Sequence, residues 1–278
     1  MQRTALSMTL KAHRVPAGNI VLHVREAGTG PLVIFLHGIT ANAAVWDPVL
    51  LDLQHEFHVV AADQRGHGLS DKPAEGYGGE AYAQDVLGLV AAFGGAPAIV
   101  VGHSLGARNG VVAATLRPDL IAGVVAVDFV PFIEDEVLEA LETRVKGGDR
   151  TFASVDEIVA YLASRYPLMP PDALQRRATH GYRRVGDVFH ALADPRAMAA
   201  TAEGLREDLE PAMTSVRRPV LLVRGAQSKL VSVAAFERTK RLRPDLPTLV
   251  VPGTDHYVPE EAPAVVSRAI RDFAKTLA

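Results

Sequence analysis

The chain alternates between short apolar runs and longer segments in which apolar residues recur with helical periodicity. Six runs are continuously apolar and rich in Val, Ile and Leu, at 32–36, 59–62, 98–101, 121–127, 220–223 and 249–251. Strands that are buried on both faces have this composition, as in parallel sheets covered by helices. Between the runs lie four segments with helical periodicity, at about 78–93, 104–117, 232–243 and 260–277. This alternation predicts an α/β fold with a doubly wound, mostly parallel sheet.

Two regions depart from this alternation. Near the N-terminus, residues 6–15 and 19–27 alternate apolar and polar positions on either side of a Pro-Ala-Gly-Asn turn, which predicts a hairpin. Residues 130–215 contain no continuous apolar run and show four amphipathic segments instead, at about 133–146, 155–164, 172–184 and 195–209. We therefore predict one α/β core, formed by residues 1–129 and 216–278, with a helical cap at 130–215 inserted above the carboxyl ends of the strands.

Composition narrows the function classes. The 278 residues carry a net charge of −3, so no basic surface for nucleic acid or for an anionic membrane is expected. The chain has no cysteine, which excludes disulfides, thiolate metal sites and a cysteine nucleophile. No apolar run reaches the roughly 18 residues of a membrane helix, and the first residues lack the features of a secretory signal peptide. We expect a cytoplasmic protein.

The sequence Gly-His-Ser-Leu-Gly at 102–106 is the most informative segment. It matches G-x-S-x-G, follows an apolar run and precedes a helical segment, which is the strand–turn–helix context of a nucleophile elbow. In such a turn the serine hydroxyl stands clear of the backbone at the end of the strand. We therefore predict that Ser104 is a catalytic nucleophile and that the backbone N–H of Leu105 faces the oxyanion.

A serine nucleophile requires a base and a carboxylate that orients the base, in the chain order Ser, Asp or Glu, His. His256 follows the last apolar run and is the candidate base; the alternative is a histidine of a surface loop. The usual position of the acid, after the fifth run, holds Lys229, which has no acceptor lone pair. We therefore predict that Asp128, at the end of the fourth run, orients His256. The alternative for Asp128 is a helix cap, and Asp255 is a poor acceptor because it adjoins His256 in sequence.

The loop after the run 32–36 reads His-Gly-Ile-Thr and supplies a second candidate for the oxyanion hole, the backbone N–H of Ile39. We expect His37 to hold this loop rather than to catalyse. A triad of Ser104, Asp128 and His256 with two N–H donors is sufficient for hydrolysis. No metal and no organic cofactor is therefore expected.

Four segments together resemble the α/β-hydrolase superfamily, namely His37-Gly38, Asp-Gln-Arg-Gly-His-Gly at 63–68, the elbow at 102–106 and Asp255-His256. The resemblance covers nearly all of the chain outside the cap. It implies the α/β-hydrolase fold and an acyl-enzyme mechanism. Esterases, lactonases, C–C bond hydrolases, cofactor-independent oxygenases and non-enzymatic receptors share this fold, so the resemblance does not by itself specify the reaction.

Within that superfamily, the acid after the fourth run, the continuation of the elbow as Ala-Arg-Asn and the cap are similar to amidohydrolases of bacterial vitamin B6 degradation. This resemblance implies a small anionic substrate with carboxylates bound by Arg144 and Arg165, since guanidinium and carboxylate groups pair through two hydrogen bonds. A solvated or salt-bridged surface arginine is the alternative for each. Tyr166, Ser228 and Ser232 are further candidates for lining or bracing the pocket, and no role is assigned to any of them. The residues do not determine the oligomeric state and leave a homodimer open.

Overall fold

A central sheet of eight strands forms the core of the chain in the computed structural model, which describes residues 9–95, 97–146 and 150–277. Numbered along the chain together with the strands of a smaller sheet, the strands are β1 (Lys11–Ala17), β2 (Ile20–Ala27), β3 (Leu32–Leu36), β4 (His58–Ala62), β5 (Ala98–His103), β6 (Ile121–Val127), β7 (Thr151–Phe152), β8 (Tyr182–Val185), β9 (Val188–Ala191), β10 (Val220–Gly225) and β11 (Thr248–Val251). Their order across the central sheet is β1-β2-β4-β3-β5-β6-β10-β11. The β1–β2 and β2–β4 pairs are antiparallel and the others are parallel, which confirms the predicted sheet.

Helices cover both faces of the central sheet. Numbered along the chain, they are α1 (Asp47–Leu53), α2 (Gly79–Ala92), α3 (Leu105–Leu116), α4 (Asp135–Lys146), α5 (Val155–Arg165), α6 (Pro171–Gly181), α7 (Pro195–Gly204), α8 (Glu210–Ser215), α9 (Val233–Leu242), α10 (Val258–Glu261) and α11 (Pro263–Lys275). The four predicted core helices correspond to α2, α3, α9 and the pair α10–α11. The last is divided because Ala262, which precedes Pro263, has a non-helical backbone. No helix among the described residues is long and apolar enough to cross a membrane.

The alternation of side chains along each strand builds two apolar layers. In β3, Ile34 contributes to the layer that includes residues of α2 and α3, whereas Val33 and Phe35 contribute to the layer that includes residues of α1 and α11. All five residues of β3 are buried, which is why this run is continuously apolar. The prediction that the run 249–251 is buried on both faces is wrong, because β11 is an edge strand in which Val250 is 46% exposed.

The N-terminal hairpin is confirmed for the residues that the structure describes. β1 and β2 pair from Lys11 with Glu26 to Ala17 with Ile20. Gly18 takes the positive φ of 70° that the tight turn requires. Residues 6–8 of the predicted first strand lie outside the described residues.

Residues 130–215, which we call the cap segment, contain a small sheet as well as helices. The prediction of a purely helical insertion is wrong, because β7, β9 and β8 form a three-stranded antiparallel sheet. The helix predicted at 172–184 ends at Gly181, and the chain then enters β8 and returns through β9. These strands have four residues or fewer and only one buried residue, Phe152, so they lack the apolar run by which core strands are recognised. The helix predicted at 195–209 ends at Gly204.

The cap segment packs over the carboxyl ends of the core strands. Leu138 and Leu141 of α4, together with Leu205, form one apolar cluster with Ile39 and Leu105. Ile39 follows β3 and Leu105 follows β5, so this contact covers the edge of the sheet at which the predicted catalytic residues lie. The division of the chain into a core domain and an inserted domain stays a prediction.

Candidate active site

Ser104 occupies the sharp turn between β5 and α3. Its backbone has φ 51° and ψ −112°, a conformation that is strained for a residue other than glycine. A Cβ at Gly102 would lie 2.3 Å from backbone atoms of Gly106, and a Cβ at Gly106 would lie 2.3 Å from the carbonyl oxygen of Leu36. Only glycine fits at these two positions. The backbone N–H of Ser104 donates to the carbonyl of Val127 over 2.9 Å, which holds the turn beside the end of β6.

Asp128 and His256 are joined by a hydrogen bond although 128 residues separate them. Nδ1 of His256 donates to Oδ2 of Asp128 over 2.6 Å, and both side chains are buried. The backbone N–H of Asp255, the rejected alternative, donates to the carboxylate of Glu261 over 2.6 Å. An imidazole with its proton on Nδ1 leaves Nε2 free to accept one. The pair therefore has the arrangement that a general base requires.

The carboxylate of Asp128 is held by two further donors from the neighbouring strand and its loop. Oδ1 accepts the backbone N–H of Gly225 at 2.8 Å, and Oδ2 accepts the hydroxyl of Ser228 at 2.6 Å. β6 and β10 are paired up to Val127, so the residue after β6 directly faces the loop that carries Ser228. Lys229, which occupies the position where the acid is usually found, is exposed. Its neighbour Ser228 is the residue of this loop that contacts the carboxylate.

The protonation states of the pair follow from burial. Burial raises the pKa of Asp128 to about 6, although the hydrogen bonds from Ser228 and Gly225 oppose this shift. Burial also lowers the pKa of His256 below its ordinary value, and the positive charge of Arg144 acts in the same direction. At neutral pH and above, the carboxyl is therefore ionised and the imidazole is neutral. This combination allows His256 to accept a proton.

Two backbone N–H groups stand beside Ser104 as candidates for an oxyanion hole. Leu105 is the first residue of α3, and an N–H in the first turn of a helix has no partner within that helix. Ile39 follows β3, and both residues line the same cavity as Ser104. The cavity thus brings together the predicted nucleophile and the residues that carry both predicted donors. Their role as an oxyanion hole stays a prediction.

A buried hydrogen-bond network holds the loop that carries Ile39. Nε2 of His37 accepts the backbone N–H of Gln64 at 3.0 Å, and the side-chain amide of Gln64 donates to the carbonyl of His37 at 2.6 Å. Asn109 of α3 donates to the side chain of Gln64 at 2.7 Å. Burial lowers the pKa of His37 to about 4, so this histidine is neutral at pH 7. These contacts agree with the structural role that we expected for His37.

The cavity lined by Ser104, Asp128 and His256, which we call the catalytic cavity after their predicted role, is mainly apolar. Its polar wall includes Ser104, Asp128 and His256, and Arg144 of the cap segment also borders it. Apolar side chains of the core loops and of α4 form most of the remaining wall, among them Phe129, Val130, Ile133, Val137, Leu141, Leu230 and Val231. A mainly apolar lining with a few polar groups is typical of a site that binds a small organic molecule and sets its orientation.

A second cavity lies next to the first and is rich in arginine. We call it the arginine cavity; Arg144, Arg165 and Arg177 line it, together with Tyr161, Tyr166 and Tyr182. Arg144 lines both cavities, and its Nη1 donates to the hydroxyl of Tyr257 at 3.1 Å. The guanidinium of Arg177 lies 4.9 Å and 5.0 Å from the ring centroids of Tyr166 and Tyr257. It also pairs with Glu260 at 2.8 Å.

The positive charges of this cavity act on Tyr166. Burial by itself raises the pKa of a tyrosine, but the guanidinium groups of Arg177, Arg144 and Arg165 outweigh that effect and lower the pKa of Tyr166 below its ordinary value. A cavity that stabilises the negative form of a phenol also stabilises an anionic ligand. The arginine cavity is therefore suited to carboxylates.

The sequence prediction found some of these residues and missed others. Arg144 borders the catalytic cavity as well as the arginine cavity, whereas Arg165 borders the arginine cavity. Sequence reasoning gave no role to Ser228, whose only signal is its position beside Lys229. It also missed Arg177, whose partner Glu260 lies 83 residues away, so that no local pattern marks the pair. Among the described residues, no group of three His, Cys, Asp or Glu side chains could hold a metal ion.

Comparison with known proteins identifies the family. Residues 31–263 match the family described as alpha/beta hydrolase fold. The chain is 53% identical to 2-(acetamidomethylene)succinate hydrolase of Mesorhizobium japonicum, over 94% of each protein. It is 26% identical to N-formylmaleamate deformylase of Pseudomonas putida, over 91% of this chain and 92% of that protein.

A solved structure extends the comparison to three dimensions. The crystal structure of E-2-(acetamidomethylene)succinate hydrolase matches with a TM-score of 0.94 and 53% identity, over 96% of this chain and 99% of that chain. The resemblance inferred from the four sequence segments is thereby confirmed. With the family match over most of its length and with Ser104, Asp128 and His256 in one cavity, the chain is a hydrolase that belongs to the α/β-hydrolase family.

Proposed function

We propose that the chain is a serine hydrolase that cleaves the amide bond of (E)-2-(acetamidomethylene)succinate. The observation that carries the proposal is that Arg144 lines two neighbouring cavities of different character. One cavity holds Ser104, Asp128 and His256, and the other is lined by arginines. The substrate has the matching division, with an acetamide at one end and two carboxylates at the other. The relative of 53% identity, which is named for this substrate, supports the assignment.

Charge balance favours a dianion in the arginine cavity. Arg177 is neutralised by Glu260, with which it forms a buried salt bridge. Within the described residues, no carboxylate forms a salt bridge with Arg144 or Arg165, so two positive charges are left for a ligand. The planar guanidinium group pairs with a carboxylate through two hydrogen bonds, and the low dielectric of a cavity strengthens such pairs.

The reaction begins with attack on the acetamide. Ser104 Oγ adds to the carbonyl carbon while Nε2 of His256 takes the hydroxyl proton, and Asp128 keeps the imidazole in the required tautomer. The N–H groups of Leu105 and Ile39 stabilise the negative oxygen of the tetrahedral intermediate. His256 then donates its proton to the amide nitrogen, the C–N bond breaks and an acetyl-enzyme remains.

Hydrolysis completes the cycle. Water, deprotonated by His256, releases acetate from Ser104. The other product is an enamine, which tautomerises and is hydrolysed by a second water to ammonia and 2-formylsuccinate. Loss of CO2 from that β-carbonyl acid gives succinic semialdehyde. One substrate and two waters thus yield acetate, ammonia, CO2 and succinic semialdehyde, and the steps after release of acetate require little from the protein.

The test is acetate release from (E)-2-(acetamidomethylene)succinate, with Ser104→Ala as the control. We expect release by the wild type, and none by a variant that retains the circular dichroism spectrum and the unfolding temperature of the wild type. If the wild type cleaves a neutral activated ester but not the dicarboxylic amide, the assignment as a serine hydrolase stands and the proposed substrate is rejected. Full activity of Ser104→Ala would reject the nucleophile. A cytoplasmic location and a homodimer stay predictions.

A further inference from the structure

A shallow groove on the surface of the cap segment shares two arginines with the arginine cavity. Arg144, Arg150 and Arg165 line it, with Ala140 and Thr143 between them. Arg144 and Arg165 also line the arginine cavity, and Arg144 lines the catalytic cavity as well. Three consecutive spaces, from the surface to Ser104, therefore share cationic walls.

The ring of Tyr161 joins the outer arginine to the inner ones. The guanidinium of Arg150 lies 5.4 Å from the centroid of this ring, and that of Arg165 lies 5.3 Å from it. Tyr161 itself lines the arginine cavity, whereas Arg150 is exposed to solvent. Arg150 and Arg165 thus contact the same aromatic ring, and Arg165 belongs to the lining of the arginine cavity. It remains accessible to a ligand that arrives from solvent.

The charge of this groove is not cancelled by nearby acidic groups of the described chain. Within residues 9–95, 97–146 and 150–277, no carboxylate forms a salt bridge with Arg144, Arg150 or Arg165. Glu142, which lies in α4 beside Arg144, is paired with Arg206 at 2.7 Å. Within those residues, the three guanidinium groups that line the groove thus have no carboxylate partner in a salt bridge.

A second groove also borders the arginine cavity, and its charge is weaker. Lys72, Arg183 and Asp194 line it, so that one negative charge opposes two positive charges. The ammonium of Lys72 already donates to the carbonyls of Gly68 and Ser70, at 2.8 Å and 3.1 Å. An approaching dianion is attracted more strongly to the groove of Arg150.

We propose that the groove of Arg144, Arg150 and Arg165 is the entrance for the substrate and that Arg150 is an outer binding site for small dicarboxylates. This inference rests on the proposed function, which supplies the dianion. The substrate first meets Arg150, then passes the ring of Tyr161 to Arg165 and Arg144. Clefts lined by one sign of charge raise the local concentration and the association rate of an oppositely charged ligand.

The test compares Arg150→Gln with the wild type at low and high ionic strength. At about 20 mM salt, kcat/KM for the dicarboxylic amide should fall about two- to threefold, which is the factor that Coulomb's law gives for one charge acting on a dianion about 10 Å away in water with a Debye length of about 20 Å. The value of kcat should not change. At about 500 mM salt the two proteins should converge, since the Debye length is then only about 4 Å.

Two control variants and a control substrate sharpen the test. Arg217→Gln removes the same charge from an exposed residue just before β10, at the edge of the sheet opposite the site, and should leave kcat/KM unchanged. Arg183→Gln removes a charge from the competing groove. Turnover of a neutral activated ester should not respond to Arg150→Gln at either salt concentration.

Three results would overturn the inference while leaving the proposed function intact. They are an unchanged kcat/KM for Arg150→Gln at low salt, a loss of equal size at high salt, and a loss with Arg183→Gln but not with Arg150→Gln. A wild type that cleaves the ester but not the dicarboxylic amide would instead overturn the proposed function, and the inference with it.

Discussion

Nδ1 of His256 lies 2.6 Å from Oδ2 of Asp128, the residue that follows β6. The same carboxylate oxygen accepts the hydroxyl of Ser228, and the other oxygen accepts the N–H of Gly225. Three donors, one from the end of β10 and two from the loops after β10 and β11, thus converge on one buried carboxylate. The loop after β10 usually carries the acid but has no carboxylate in this chain. It instead contributes the hydroxyl of Ser228, which donates to the carboxylate of Asp128.

The first prediction concerns this carboxylate. Asp128→Asn should lower kcat by about 10⁴-fold, because an amide no longer fixes the tautomer in which Nε2 of His256 is free. Steady-state kinetics with the dicarboxylic amide measure the effect, and the unfolding temperature serves as the control for folding. A near-normal rate, combined with loss of activity on substitution of Asp255, would move the acid to Asp255.

The second prediction concerns pH. Activity requires ionised Asp128, so kcat/KM should be present above the pKa of this carboxyl and be lost as the pH falls through about 6. The hydrogen bond from Ser228 stabilises the charged form, so its removal in Ser228→Ala should raise the pKa and move the acidic limb upwards by about one pH unit. A full pH profile of both proteins tests this. An acidic limb at the same pH in the variant would contradict the role of Ser228.

The third prediction separates carboxylate binding from chemistry. Arg144→Ala and Arg165→Ala should each raise KM for the dicarboxylic amide by about 10- to 100-fold, the range expected for loss of a charge-assisted hydrogen bond. KM for a neutral activated ester should change little, because that substrate has no partner for a guanidinium group. Parallel kinetics with both substrates check this. Equal losses with both would reject these arginines as carboxylate ligands.

The fourth prediction concerns stability. Glu260→Gln should lower the free energy of unfolding by about 3–5 kcal/mol, because it leaves the buried guanidinium of Arg177 without its counter-charge. Glu210→Gln is a matched control, since it breaks an exposed pair with Arg238 and should cost less than about 1 kcal/mol. Chemical denaturation measures both. If both variants lose less than about 1 kcal/mol in the free energy of unfolding, the guanidinium of Arg177 is stabilised by another partner or by water when Glu260 is replaced.

The apolar pattern alone predicts the architecture of the core. A strand that is buried on both faces must be apolar at every position, so the runs that became β3, β5, β6 and β10 were visible without any tertiary information. The elbow was visible for a similar reason. The turn around Ser104 leaves no room for a Cβ at Gly102 or Gly106. Both positions must therefore be glycine, which is why the G-x-S-x-G pattern identifies the turn.

Strands that are exposed or only partly buried are not marked by a reliable apolar pattern in the sequence. β8 and β9 are short and only partly covered, so their positions tolerate polar residues and carry no apolar run. The edge strand β11 kept an apolar sequence although Val250 is 46% exposed. Apolar patterning therefore predicts burial reliably only where both faces of a strand are covered.

The site beyond the elbow was decided by the tertiary structure. Sequence placed Asp128 and His256 at the ends of strands, but only the pairing of β6 with β10 brings Ser228 and Gly225 onto the same carboxylate. The arginine cavity depends on the same kind of proximity. Arg177 and Glu260 lie 83 residues apart, and Arg144 borders two cavities only because α4 packs across the ends of the strands. Local sequence patterns report the environment of one element, whereas a charge network among several elements exists only after they have packed.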